Sequence, residues 1–248
     1  MQELNLEGRT AVITGASRGL GAGIAEVFAG CGVQLGLCSR TKPALAEGPA
    51  VLAREVDVRD EAAITAFAKE VAERFGAIDL WINNAGVLAP IKPLRDITAD
   101  EFRDHIDINL SGVFLGTRAY VHHVRGREGG GVLINISSGA AWGGYAGWSA
   151  YCAGKAGVAL LTQCVALEEA DAGLRAHAVA PGIVDTDMQA LIRSSSAEDF
   201  PSVERFIEAK EADSFNTSEF IARHLLALAF DPSYPDREVD IRLPNEKD

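Results

Sequence analysis

Short runs of consecutive apolar residues alternate along this chain with longer segments in which apolar residues recur every three or four positions. The runs predict strands near residues 9–14, 33–38, 51–56, 78–83, 131–136, 174–180 and 238–242. The periodic segments predict helices near residues 19–30, 60–75, 99–124, 149–171 and 217–229. Strands that alternate with helices form parallel sheets with right-handed crossovers. The sequence therefore predicts an α/β fold, a doubly wound parallel sheet of about seven strands with helices on both faces.

Two segments do not follow this pattern. The link over residues 39–50 contains Pro43 and Pro49 and is short for a crossover, which predicts a brief or irregular helix there. Residues 185–216 mix a Ser-Ser-Ser run with charges and scattered apolar residues. We expect that segment to be a mobile loop region beyond a strand end that contacts the substrate. No repeat or linker divides the chain, so one domain over residues 1–248 is expected.

Composition and charge exclude several classes of function. Hydrophobic residues make up 48% of the 248 positions and charged residues 23%, which is ordinary for a globular protein. The first seven residues carry acids, and no apolar run approaches the ~20 residues of a membrane span. Four cysteines without CxxC spacing favour a reducing cytoplasmic location, and no metal site is assigned. The net charge of −12 argues against binding to nucleic acid or anionic membranes.

A glycine-rich turn follows the first predicted strand and precedes the first helix. It reads Gly15-Ala-Ser17-Arg18-Gly19-Leu20-Gly21, directly after Thr14. Glycines allow the backbone to approach a pyrophosphate, and a helix N-terminus offers free N–H groups to it. The order of strand, turn and helix therefore predicts a Rossmann-type dinucleotide site. The alternative is a tight turn that binds nothing.

Tyr151 and Lys155 lie four residues apart in a predicted helix, and they follow Ser138 closely. Residues i and i+4 share a helix face, so the ammonium is expected beside the phenol. An unperturbed tyrosine has a pKa of about 10, and a neighbouring cation lowers it. This pair is therefore predicted to act as a general acid/base.

These motifs, in this order and spacing, resemble the short-chain dehydrogenase/reductase family in its ordinary single-domain form. The likeness runs from about residue 6 to residue 230. It is carried by Thr14-Gly-x-x-x-Gly-x-Gly21, Asp57-Val58, Asn83-Asn-Ala-Gly86, Asn109, Ser138, Tyr151-x-x-x-Lys155 and Pro181-Gly182 with Val184 and Thr186. The resemblance implies an oxidoreductase that interconverts a carbonyl compound and an alcohol by hydride transfer.

The resemblance assigns four residues to catalysis. Tyr151 would protonate the carbonyl oxygen, and Lys155 would hold the nicotinamide ribose beside it. Ser138 would donate a hydrogen bond to the substrate oxygen, with Ser137 as the rival for this role. Asn109 would belong to a water relay that links Lys155 to solvent, unless it is only a polar residue that interrupts a helix.

The remaining motifs are typical of cofactor contacts in this family. Asn84, Ala85 and Gly86 would lie against the adenine ribose, although Asn and Gly also favour a plain turn. Asp57 and Val58 would meet the adenine. Pro181, Gly182, Val184 and Thr186 would meet the carboxamide and the phosphates. All of these residues follow predicted strands, at the sheet edge where open α/β folds bind ligands.

The second strand indicates the choice of cofactor. NAD sites place an acid there, but this strand ends in Ser39-Arg40-Thr41 and the next acid is Glu47. Arg18 and Arg40 could together hold a 2′-phosphate, which favours NADP(H). Two solvated surface arginines are the alternative.

In the family, the substrate pocket is formed by three segments around the tyrosine. Here they supply Leu88, Ala140, Trp142, Tyr145, Trp148, Met188 and Ile192. These residues favour an apolar or aromatic carbonyl compound. The three segments hold few cations, only Lys92 before Arg193, so a highly anionic substrate is not favoured.

Helices 102–124 and 149–171 are apolar on more than one side, which indicates a second copy of the chain as a partner. A homodimer or homotetramer is expected, and the tail from Pro232 departs from that of the family's tetramers. Two other functions stay open. One is an epimerase or dehydratase that uses the same Tyr/Lys pair, and the other is a non-catalytic NADP(H)-sensing module.

Overall fold

The seven strands form one parallel sheet in the order β3-β2-β1-β4-β5-β6-β7. The computed structural model describes residues 4–234 and 238–247. The strands are β1 Thr10–Thr14, β2 Gln34–Ser39, β3 Val51–Glu55, β4 Leu80–Asn83, β5 Gly131–Ile136, β6 Leu174–Ala180 and β7 Asp240–Arg242. Strand order reverses between β1 and β4, so the loops that follow these two strands lie side by side. The predicted strands and their parallel arrangement are confirmed.

Helices cover both faces of the sheet. They are α1 Gly19–Gly30, α2 Glu61–Phe75, α3 Ala99–Ile106, α4 Gly112–Arg125, α5 Ser149–Glu168, α6 Asp187–Arg193, α7 Val203–Glu211 and α8 Ser218–Phe230. One apolar cluster joins α1 and α8 to the sheet, including Phe28 and Leu225. The other joins α2, α4 and α5 to the opposite face, including Phe67 and Tyr120. In the described part of the chain, α5 alone is long and apolar enough to span a membrane, a test that core helices also pass.

The structure differs from the predicted elements in three places. The predicted helix over residues 99–124 is divided by one wide π-helical turn, Asp107–Ser111, which turns Asn109 toward the loop after β4. The segment 185–216, predicted to be irregular, contains α6 and α7. These helices are short. Their apolar residues, such as Ile192, Val203 and Phe206, pack in one cluster with Trp148 and Tyr151 at the start of α5. The brief or irregular helix predicted for the link over 39–50 is not formed, and residues 40–50 follow bends and turns instead.

Candidate active site

The glycine turn and the loop after β4 are packed directly against each other. Gly15 has φ of +69°, and a Cβ there would lie 2.7 Å from the Cα of Ala85. A side chain at Gly21 would likewise overlap the amide nitrogen of Asn84. The Thr14 hydroxyl accepts hydrogen bonds of 3.1 Å from the backbone N–H groups of Asn84 and Ala85. The two loops therefore form one rigid floor at the point where the strand order reverses.

A cleft of about 1220 Å³ runs across this floor along the carboxyl ends of the strands. Its size and its glycine turn at the N-terminus of α1 fit a dinucleotide. All the predicted cofactor residues line it: Gly15, Ser17, Arg18, Gly19, Leu20, Gly21, Ser39, Arg40, Asp57, Val58, Asn84, Ala85, Gly86, Tyr151, Lys155, Pro181, Gly182, Val184 and Thr186. Among the described residues, no three His, Cys, Asp or Glu side chains are grouped so as to hold a metal ion.

Tyr151 and Lys155 lie on one face of α5 and both line the cleft. The Lys155 ammonium lies 5.8 Å from the centre of the Tyr151 ring and donates a 2.7 Å hydrogen bond to the Ile136 carbonyl. Burial lowers the pKa of Lys155 to about 8. Burial also raises the pKa of Tyr151, while a hydrogen bond with the Ser138 side chain opposes that rise.

The net shift of the Tyr151 pKa is therefore upward, where the pair with Lys155 was expected to lower it. The cation is engaged by a backbone carbonyl, and desolvation of the phenol is the larger effect. A phenol with a raised pKa keeps its proton at neutral pH. At neutral pH the site thus holds a protonated tyrosine beside a lysine that keeps most of its charge.

Ser138 follows β5 and lies closer to this chemistry than Ser137. Its hydroxyl accepts a 3.2 Å hydrogen bond from the Ala140 N–H and also bonds with Tyr151. The Ser137 hydroxyl is buried and has no hydrogen-bond partner among the described residues. The geometry favours Ser138 as the serine that meets a substrate oxygen beside Tyr151.

Asn109 is buried in the π-helical turn and lines the same cleft. Its side-chain oxygen accepts a 2.9 Å hydrogen bond from the Val87 N–H, and its amide nitrogen donates one of 2.9 Å to the Val87 carbonyl. The amide therefore holds the loop after β4 against α3 and α4. The wide turn therefore serves a contact with a distant loop, and the 3.6-residue period of the sequence could not predict it.

The two arginines of the predicted phosphate site differ in their ion pairing. Arg18 forms a 2.8 Å ion pair with Asp187, and both side chains are 76% exposed. Arg40 has no carboxylate within 4.0 Å in the described ranges. Asp57, at the same end, is bound by Arg59, and this hydrogen-bonded pair lowers the pKa of the carboxyl group.

The other end of the cleft is mostly apolar. Of the predicted pocket residues, Leu88, Ala140, Tyr145, Trp148, Met188 and Ile192 line it. Trp142 does not line the cleft, and this prediction is wrong: its ring is 46% exposed and lies under the Arg242 guanidinium at 5.2 Å. Trp148 stacks on Phe200 with ring centres 4.4 Å apart, so it belongs to a buried aromatic cluster.

Sequence reasoning missed the residues that α7 and β7 bring to this end. Phe206 and Arg205 of α7 and Arg242 of β7 line the cleft. Arg205 donates a 3.2 Å hydrogen bond to the Tyr145 hydroxyl. The low cation count of the three pocket segments was therefore misleading, because Arg205 and Arg242 come from elsewhere in the chain. The spacing of the apolar residues Val203 and Phe206, at i and i+3, is the sequence signal that could have predicted α7.

Comparison with known proteins places this cleft in a family. The family model for short chain dehydrogenase matches residues 9–197. The chain is 35% identical to benzil reductase ((S)-benzoin forming) of Bacillus subtilis, covering 93% of this chain and 97% of that protein. It is 38% identical to galactitol 2-dehydrogenase of Agrobacterium fabrum over 73% of each. The crystal structure of levodione reductase aligns with a TM-score of 0.84 at 31% identity and covers 96% of both chains.

Benzil reductase and levodione reductase match more than nine tenths of the chain, and the fold agrees with these similarities. Members of the family are oxidoreductases that interconvert alcohol and carbonyl groups with a nicotinamide cofactor. The chain belongs to the short chain dehydrogenase family.

Proposed function

We propose that this protein is an NADPH-dependent carbonyl reductase that acts on apolar or aromatic ketones, aldehydes and diketones. One observation carries the proposal. Tyr151 is buried, which raises its pKa, and it lies beside Ser138 where the nucleotide-sized cleft meets an apolar aromatic wall. A group that holds its proton at neutral pH is suited to give it to a carbonyl oxygen, which is the step that reduction needs.

The chain's own residues then have defined roles. Ser138 orients the carbonyl oxygen by a hydrogen bond, and Tyr151 transfers its phenolic proton to that oxygen. Lys155 would hold a ribose hydroxyl of the cofactor, and its positive charge would stabilise the phenolate as the proton leaves. Asn109 maintains the loop that carries the nucleotide floor. A bound nicotinamide supplies the hydride.

The preference for NADPH rests on Arg40. Arg40 lines the nucleotide end of the cleft and forms no ion pair within 4.0 Å among the described residues, although its charge helps to lower the pKa of Asp57. A 2′-phosphate is a group that a guanidinium suits. Arg18 would contribute only if it left Asp187.

The substrate class rests on the walls of the cleft. Leu88, Trp148, Ile192 and Phe206 present apolar surface, and Arg205 adds hydrogen-bond donors at the rim. Benzil is an aromatic 1,2-diketone, and a reductase of benzil is among the relatives. We therefore include diketones, whose second carbonyl oxygen can accept from such donors.

NADPH absorbance with a panel of aromatic ketones, aldehydes, 1,2-diketones and steroids tests this function. We expect turnover of at least one aromatic carbonyl, and its loss in Tyr151→Phe. Trp142→Phe is the matched aromatic control, since Trp142 lies outside the cleft. Tight NADPH binding without turnover of any carbonyl would favour a sensing module. Conversion of a nucleotide sugar without net NADPH use would favour an epimerase or dehydratase.

A second copy of the chain is the partner we propose. Leu160 and Leu167 of α5 and Phe114 of α4 are 62%, 83% and 45% exposed, on the two helices whose sequences are apolar on more than one side. Apolar side chains of this size favour burial at an interface. We propose a homodimer in the cytoplasm. Part of the tail that bears on a tetramer, residues 235–237, lies outside the described residues.

A further inference from the structure

His105 of α3 is buried within the active-site region although it belongs to none of the sequence motifs. Its side chain is 1% exposed. Ring nitrogen Nδ1 lies 2.8 Å from the Ala89 carbonyl oxygen, and Nε2 lies 2.8 Å from the amide nitrogen of Asn109. The imidazole therefore bridges the loop after β4 and the π-helical turn.

The neighbours of His105 determine which nitrogen carries the proton. A backbone carbonyl can only accept, so Nδ1 must donate to Ala89. Asn109 must donate from Nδ2, because its other contacts with the Val87 N–H and carbonyl fix the orientation of the amide. Nε2 is then the acceptor, and the ring is neutral with its proton on Nδ1.

The same ring also contacts the catalytic helix. The His105 and Tyr151 rings meet edge to face, with centres 6.0 Å apart and planes at 81°. Gly154 of α5 lies beside the ring as well, since a Cβ built there would be in ordinary contact with Nε2 at 3.7 Å. A displacement of His105 would thus shift Asn109, the Val87–Ala89 loop and Tyr151 together, because all of them contact the ring or its partners.

We propose that His105 is a positioning residue, whose neutral Nδ1–H form holds Asn109 and the Val87–Ala89 loop in the geometry that the Tyr151 site needs. This inference rests on the proposed reductase function for its kinetic readout only. Leu88, a wall of the cleft, lies in the loop that His105 holds.

Protonation of His105 would break this arrangement. A proton on Nε2 would face the Asn109 N–H, and Asn109 could recover a bond only by rotating its amide and losing both Val87 bonds. Burial lowers the pKa of His105, the Ala89 hydrogen bond opposes this, and the charge of Lys155 lowers the pKa further. Tyr151 and Lys155 on α5 are the titratable groups in the structure that face or act on the ring, while the loop presents only the Ala89 carbonyl.

Two variants separate positioning from simple packing. His105→Phe keeps a ring and removes both nitrogens. His105→Gln keeps one acceptor near the position of Nε2 and cannot take up a proton. His123→Phe is the matched control, because the Nε2 of His123 accepts a 2.9 Å hydrogen bond from the Ile78 N–H far from the cleft.

The kinetic readouts are kcat and its pH profile at saturating NADPH. We expect His105→Phe to lose about 10- to 100-fold in kcat, as a misplaced group near the chemistry does, with NADPH affinity within about 2-fold. The kcat of His105→Gln should recover to within about 10-fold of wild type, and it should lack the decline on acidification that we expect of wild type. His123→Phe should keep the kcat and pH profile of wild type.

The structural readouts do not need turnover. Nitrogen NMR of the wild type should show the Nδ1–H tautomer at neutral pH, and hydrogen exchange of the Val87 N–H should accelerate in His105→Phe only. Wild-type kcat in His105→Phe with an unchanged pH profile would overturn the proposal, as would the Nε2–H tautomer. If no carbonyl is reduced by wild type, the reductase function fails, while the tautomer and the Val87 exchange still decide this inference.

Discussion

The ammonium of Lys155 lies 5.8 Å from the centre of the Tyr151 ring, and its hydrogen bond goes to the Ile136 carbonyl. Burial has opposite effects on the two pKa values, because it disfavours the charged form of each group. It lowers the pKa of Lys155 to about 8 and raises that of Tyr151. At neutral pH the tyrosine is a proton donor and the lysine still carries most of its charge.

The pH dependence of reduction should therefore follow Lys155. As pH rises through about 8, the ammonium loses its proton and no longer stabilises the phenolate that forms on Tyr151. We expect kcat for carbonyl reduction to decrease along a basic limb near this pH, while Tyr151 itself stays protonated. Stopped-flow or steady-state NADPH absorbance from pH 6 to 10 measures this. A rate that is constant to pH 9.5 would contradict the assignment.

Lys155→Met should abolish reduction and stabilise the fold. At pH 7 the buried ammonium is charged in both the folded and unfolded states, so wild type carries its full desolvation cost. Its removal should raise the free energy of unfolding by about 2 kcal/mol, net of the lost bond to Ile136.

The difference in unfolding free energy between Lys155→Met and wild type should narrow as pH rises from about 8 toward 10.5, the ordinary pKa of lysine. Over this range the folded wild type loses the buried charge before the unfolded chain does. Urea unfolding at several pH values tests this. Lys69→Met is the control, because that side chain is 76% exposed and its change should stay within about 0.5 kcal/mol. Lower stability for Lys155→Met at pH 7 would contradict the argument.

Gly15→Ala should damage both stability and nucleotide binding. The φ of +69° costs an alanine about 1–2 kcal/mol, and the added methyl would overlap Ala85 at 2.7 Å. We expect a loss of more than about 2 kcal/mol in unfolding free energy and at least about 10-fold in NADPH affinity. Gly48→Ala is the control, since nothing lies within 4 Å of the added Cβ. Calorimetry with and without NADPH measures both effects.

Arg40→Asp should shift the cofactor preference toward NADH. The substitution removes the guanidinium that faces the nucleotide end of the cleft and supplies a carboxylate for a ribose hydroxyl. We expect kcat/KM with NADPH to fall at least about 10-fold and that with NADH to rise. Arg18→Gln should have the smaller effect, because Arg18 is paired with Asp187. Unchanged NADPH kinetics in Arg40→Asp would refute the phosphate site.

Leu160→Glu should dissociate the proposed dimer. A carboxylate at a residue that is 62% exposed in the single chain costs little in the monomer but much in an apolar interface. Sedimentation velocity should show a shift to monomer mass. Leu94→Glu, 68% exposed but outside α4 and α5, should leave the mass unchanged. A monomeric wild type would exclude the dimer.

Local sequence patterns predicted the fold class and the main motifs of this protein. The parallel sheet follows from alternating apolar runs and helical periods, because burial on one or both faces imposes those periods directly. The glycine turn and the Tyr151–Lys155 spacing are equally local, since a φ of +69° at Gly15 and a shared face of α5 each need only a few consecutive residues. The sequence by itself therefore determined the fold class and the position of the cleft.

Only the tertiary structure decided the electrostatics and the walls of that cleft. The raised pKa of Tyr151 comes from burial by distant elements, and Trp142 lies outside the pocket because Arg242 of β7 covers its ring. Arg205 reaches Tyr145, and His105 reaches Ala89 and Asn109, across separations that no local period encodes. Desolvation and side-chain contact depend on the packing of elements far apart in the chain, and sequence spacing does not contain that information.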